Sequence, residues 1–158
     1  MLENELYEPM RRWLEQYLND KYKGYDIIVV DTSQERLDRA LAKYGIVCEI
    51  ANGVDIQIDV LGIARKSQDI KLFFIEAKKT RLTIRDLGQL LVYCKLIDPE
   101  EAFLLSSAGL GSLNKLIISL AREDLLDYGA GTKIKKMRVG KWDVVKENID
   151  YRTLIPKL

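Results

Sequence analysis

The sequence predicts an α/β domain, on three observations. An amphipathic helix opens the chain, two apolar strands flank a polar turn near its middle, and a capped helix with a short apolar strand follows them. The chain has 158 residues, 47% of them hydrophobic, which suits one domain with its own core. No repeat, low-complexity tract or linker divides it. Residues 1–158 are therefore read as a single domain, with a core over about 1–107 and a C-terminal helix and basic hairpin over 108–158.

In chain order, residues 2–19 carry Leu6, Met10, Trp13, Leu14 and Tyr17 at three- and four-residue spacing, the pattern of a helix with one apolar face. Pro9 is tolerated there near the first turn. Residues 25–30 (YDIIVV) predict a strand, and Ser33 an N-cap for a helix to about Tyr44, stopped by Gly45. From 46 to 64 apolar and polar residues mostly alternate, strictly so over 55–60, which predicts a strand with Asp55, Gln57 and Asp59 on one face. Residues 65–69 supply a turn and 70–79 return as a buried strand, making a long antiparallel hairpin. Thr83 caps a helix to about Ile97, Pro99 follows it, 102–106 is a short buried strand and 113–126 a further helix. Residues 133–139 and 142–145 predict a second hairpin around Gly140.

Composition narrows the chemistry. The chain contains no histidine, which excludes Ser-His-Asp and Cys-His catalysis, histidine-based zinc hydrolysis and the nuclease classes that use a histidine base or ligand. Hydrolysis would have to run on carboxylates, lysine and a hard metal. Cys48 and Cys94 are far apart and show no CxxC spacing, so neither a disulfide framework nor a zinc or iron-sulfur centre is expected. The charged opening and the lack of an 18-residue apolar run predict a soluble, cytoplasmic protein with no membrane partner. A net charge of +1 means that any nucleic-acid contact must come from a local patch.

The central hairpin supplies the candidate site. A turn centred near Ser67 and Gln68 pairs residues whose numbers sum to about 135, which sets Glu76 opposite Asp59. Opposed side chains stand roughly 5 Å apart at Cβ, close enough for two carboxylates to hold one cation that cancels their repulsion. Lys78 projects from the same face two residues on. Oxygen ligands favour Mg²⁺ or Mn²⁺. A shifted turn would put Asp55 in the place of Asp59.

Asp59, with Glu76-Ala77-Lys78 beginning seventeen positions later at the end of an apolar strand, resembles the motif of the PD-(D/E)xK nucleases, although Ile58 stands where that motif has proline. Gln89 and Tyr93, four apart on the next helix, resemble the QxxxY element of the RecB-type branch. The resemblance covers about residues 1–107. It implies a restriction-endonuclease-like fold, a mixed central sheet with an antiparallel hairpin flanked by helices. It also implies that Asp59 and Glu76 bind metal, that Lys78 activates water or stabilises charge on phosphate, and that Gln89 and Tyr93 pack beside the metal. An acidic residue from the first helix would join them, Glu3 first and Glu5 next.

The implied activity is metal-dependent hydrolysis of DNA phosphodiesters, structure-selective or repair-type, since so short a chain has little room for a recognition domain. A dimeric Holliday-junction-resolvase-like enzyme and a non-catalytic DNA-binding or assembly module are the alternatives, and RNA stays open as a substrate. Lys79, Arg81 and Arg85 after the motif, and Lys135, Lys136 and Arg138 in the basic C-terminal stretch, are the candidate phosphate contacts.

Overall fold

The computed structural model describes residues 1–129 and 133–158. Its centre is a mixed six-stranded sheet flanked by helices. The strands are β1 (Asp26–Asp31), β2 (Val60–Lys66), β3 (Asp69–Lys78), β4 (Glu101–Ser106), β7 (Arg138–Asp143) and β8 (Asn148–Ile155), adjacent in that order. β1, β2 and β3 are antiparallel neighbours, β3, β4 and β7 run parallel, and β8 returns antiparallel to β7. Short strands β5 (Asp127–Tyr128) and β6 (Lys135–Lys136) form a separate pair.

Helix α1 (Tyr7–Lys21), entered through a 3₁₀ turn at Glu3–Leu6, covers one face of the sheet. Its apolar stripe, Leu6, Met10, Leu14 and Leu18, packs on Val60, Phe73, Ile75 and Phe103. Gly62 permits this approach, because a Cβ there would stand 2.9 Å from a Leu18 methyl. The other face is covered by α2 (Leu37–Ala42) and α3 (Ile84–Ile97), whose Leu37, Leu41, Leu87, Leu90 and Cys94 pack on Leu61, Ile63, Phe74 and Leu104. Residues buried on both faces make β3 and β4 nearly continuous apolar runs, as parallel neighbours require. Among the described residues no helix is long and apolar enough to cross a membrane.

The hairpin register is the one the sequence predicts: Val60 pairs with Ile75 and Lys66 with Asp69, around a turn whose Ser67 has φ 56°. α3 is also as expected, with Thr83 accepting from the Asp86 N–H and the Asp86 carboxylate accepting from Thr83.

Four expectations are corrected. Ser33 does not cap α2: its N–H and hydroxyl both donate to Asp31, and the helix starts only after Arg36. Residues 46–59 lie outside the sheet, and the strand begins at Val60. The alternation over 55–60 is nevertheless real, since Ile56, Ile58 and Val60 are buried while Asp55 and Gln57 are exposed. Residues 113–126 are not one helix but a short turn (Ser112–Asn114), a π-helical turn (Lys115–Ser119) and a 3₁₀ turn (Glu123–Leu126), broken where Ala121 adopts φ 54°. Gly140 is no turn residue. It lies within β7, where a Cβ would come within 3.0 Å of Leu154, and the reversal falls after Asp143, with Glu147 at φ 50°.

Candidate active site

The open end of the β2–β3 hairpin is where the fold gathers polar side chains. Thr32, buried after β1, donates its N–H to the Asp59 carbonyl (3.0 Å) and its hydroxyl to the Ile58 carbonyl, clamping the segment that leads into β2. Asp59 is thereby held one step beyond the Val60–Ile75 pair, opposite Glu76, and its carboxylate accepts the Ala77 N–H at 2.8 Å. The loop after Lys78 is fixed as firmly. Ser107 N–H donates to the Lys78 carbonyl (3.0 Å), the Ser106 hydroxyl to the Thr80 carbonyl (2.5 Å) and Leu82 N–H to the Gly109 carbonyl (3.1 Å).

A cavity of about 260 Å³ opens there. Ser33, Asp55, Gln57 and Asp59 form one wall, Glu76, Lys78, Gln89 and Tyr93 the other, and Glu3 lines the cavity as well. A larger hollow of about 500 Å³ lies elsewhere, against Leu110, Ile118, Leu154 and Pro156, and gathers no comparable group of acids.

Glu76 is only 7% exposed. Burial pushes its carboxyl far above the ordinary range, the hydrogen bond to Asp59 and that residue's charge push it further, and the Lys78 ammonium opposes them. Glu76 is thereby held toward its protonated form. Tyr7, four residues after Glu3, feels the same acids: burial first, then Asp59, Glu3 and Glu76, raise its hydroxyl well above the usual tyrosine value. Lys78 Nζ lies 3.9 Å from Asp86 Oδ1 at the start of α3. On the next two turns Gln89 Nε2 donates to the Tyr93 hydroxyl at 3.3 Å.

Asp59, Glu76, Lys78, Gln89 and Tyr93 thus line one cavity. Glu3 lines it too, but its carboxylate accepts the Lys79 N–H at 3.3 Å. Among the described residues no three His, Cys, Asp or Glu side chains are arranged to hold one metal ion. The expected set of Asp59, Glu76 and Glu3 is therefore not assembled as three converging carboxylates; two are opposed and the third is turned to backbone. Asp55 is on the cavity wall but not opposite Glu76.

No family model, curated protein or solved structure matches this chain.

The basic residues divide. Lys79, Arg81 and Arg85 are exposed beside the cavity and form no ion pair among the described residues. Lys135, Lys136 and Arg138 lie at the other end of the sheet, bound to Asp98 (3.1 Å), Asp127 and Glu101 (2.7 Å). Sequence reasoning passed over Ser33, Gln57, Tyr7 and Asp86. Gln57 shares the alternating face of Asp59 and Tyr7 the helical spacing of Glu3, whereas nothing local marks Asp86 as a neighbour of Lys78.

Proposed function

We propose that this chain is a divalent-metal-dependent deoxyribonuclease of the PD-(D/E)xK kind, a restriction-endonuclease-like domain that hydrolyses phosphodiester bonds. One observation carries the reading: Asp59 and Glu76 oppose each other at the open end of the hairpin, with Lys78 on the same wall. Two opposed carboxylates are a pair whose repulsion a cation would relieve, and an all-oxygen donor set suits Mg²⁺ or Mn²⁺ with water completing the shell. When bound, such a cation supplies Lewis-acid polarisation of the phosphoryl oxygen and a more acidic water.

The chain's own residues do the rest. Asp59 and Glu76 would hold the cation, the first fixed by the Ala77 N–H and the second by burial. Lys78 presents an ammonium to the non-bridging oxygens, where negative charge grows as the water's oxygen bonds to phosphorus and the ester oxygen leaves. Gln89 and Tyr93 present an amide and a hydroxyl that orient the phosphate.

The test is cleavage of single-stranded, duplex, flapped and four-way-junction DNA with Mg²⁺, Mn²⁺ or EDTA, beside Glu76→Ala and Lys78→Ala. Metal-dependent cutting, lost in both variants, supports the reading. Cutting that persists in either variant rejects this site. Binding without cutting on every substrate points instead to a non-catalytic module.

A further inference from the structure

The two sides of the cavity differ in the charge that flanks them. Residues 78–85 read Lys-Lys-Thr-Arg-Leu-Thr-Ile-Arg; Lys78 is paired with Asp86 at 3.9 Å, which leaves Lys79, Arg81 and Arg85 as cations without an ion pair among the described residues. Arg85 precedes Gln89 and Tyr93 at four-residue intervals, so it stands on the cavity face of α3, one turn beyond the lining residues. Lys79 directly follows Lys78, and its N–H meets Glu3. The loop that carries Arg81 is held against the next one, where a Cβ on Gly111 would come within 2.5 Å of the Leu82 carbonyl oxygen and 3.0 Å of Arg81 Cβ. These three cations are thus exposed, close in sequence and carried on a loop and helix packed against the next loop.

The facing wall is different. Its lining residues, Ser33, Asp55, Gln57 and Asp59, include two acids and no base. Asp55 stands on that wall, exposed and, among the described residues, with no basic partner. A phosphodiester chain crossing the site from wall to wall would find its phosphates neutralised on the α3 side and repelled on the Asp55 side.

From this asymmetry we infer that the site takes a free end of a nucleic-acid strand, whose backbone leaves over Lys79, Arg81 and Arg85 and does not continue past Asp55. The inference rests on the nuclease reading for its substrate class but makes a separate claim about topology.

Competition binding tests it without cleavage. Lys78→Ala protein with Mg²⁺ is loaded with a fluorescein-labelled linear single-stranded oligonucleotide, then challenged with unlabelled linear or covalently closed circular DNA of the same sequence. The linear competitor should displace the probe at a concentration at least about tenfold lower than the circle, which offers only wall-to-wall crossing. Equal competition overturns the inference and leaves the nuclease reading untouched. The log K against log salt slope should fall by about 2 when Lys79, Arg81 and Arg85 are all changed to Ala, near 0.7 for each lost single-strand phosphate contact. It should not change in Lys135→Ala/Lys136→Ala. An unchanged slope in the first variant, or an equal fall in the second, overturns it as well. Wild-type protein should likewise degrade the linear form and spare the circle. Equal degradation of both would refute the end requirement while affirming the nuclease, and degradation of neither counts against the nuclease reading alone, because the competition result stands on binding.

Discussion

Two glutamates are buried at opposite ends of one sheet and live in contrary surroundings. Glu101, at the start of β4, receives the Tyr17 hydroxyl (2.6 Å), the Tyr22 hydroxyl (2.8 Å), Arg138 Nη1 (2.7 Å) and Lys21 Nζ (3.2 Å). Glu76, near the end of the parallel neighbour β3, faces a second carboxylate across the hairpin. Both are under a tenth exposed. Burial is thus equal and partnership is not. A carboxylate with four donors completes a structural network, whereas one left against another acid must take up a proton or a cation.

The comparison breaks most decisively at Glu101. Glu101→Ala leaves Arg138 without its acceptor, and the Arg138 Nε is already buried with no partner. A loss of about 3–5 kcal/mol is expected in urea unfolding, the cost of breaking a buried ion pair from one side. A loss below about 1 kcal/mol would mean that the two ends are not as different as their partners suggest. Next in size is the response to metal. At a hundredfold excess over Kd, Mg²⁺ or Mn²⁺ should add about 2.7 kcal/mol to the wild-type protein and nothing to Asp59→Ala. Equal stabilisation of both proteins would place the cation elsewhere.

Glu76 should behave in the opposite sense to Glu101. In the folded, metal-free protein it keeps a proton that the unfolded chain releases above the ordinary carboxyl range. The folded state then binds more protons than the unfolded one, so stability falls as pH rises from about 5 until the native pair itself ionises. Glu76→Gln has no such proton to lose. It should match the wild type near pH 4 and exceed it by at least about 1 kcal/mol at pH 8, read as a widening gap in Tm. A gap that stays constant with pH would show that Glu76 does not hold a proton in the folded state.

How much of this was legible in the sequence depends on whether the signal is local. The hairpin register followed from a polar turn and strict alternation, and with it the Asp59–Glu76 opposition. The α3 cap followed from Thr83, placed just before the apolar-periodic run. Alternation over 55–60 misled about the strand yet reported the side-chain directions, because an extended segment pinned by Thr32 has the same period without a ladder. The apolar spacing from Leu113 to Leu126 likewise marked buried positions but not the break at Ala121. Glu101's network joins Tyr17, Lys21, Tyr22 and Arg138, which are distant in sequence from it and meet only when α1 and β7 come to one end of β4. Lys135, Lys136 and Arg138 therefore read as a basic patch although the fold spends them on Asp98, Asp127 and Glu101.

The smallest effect concerns a single contact that separates the cavity end from an ordinary capped helix. Asp86 does two things: it closes the capping box with Thr83, and its Oδ1 lies 3.9 Å from Lys78 Nζ. Asp86→Asn keeps an oxygen for the Thr83 N–H but removes the charge from Lys78 and from the α3 N-terminus. The stability loss should be under about 1 kcal/mol, as for a partly exposed pair and a helix-dipole charge. If Asp86 holds Lys78 in place, kcat should nonetheless fall about tenfold with KM unchanged, since a loosened ammonium still finds the phosphate but no longer at the right position. Thr83→Ala supplies the comparison, because it removes the cap and leaves the Asp86 charge. Equal losses of kcat in the two variants would make Asp86 a cap and nothing more; a loss confined to Asp86→Asn would make it the positioning residue for Lys78.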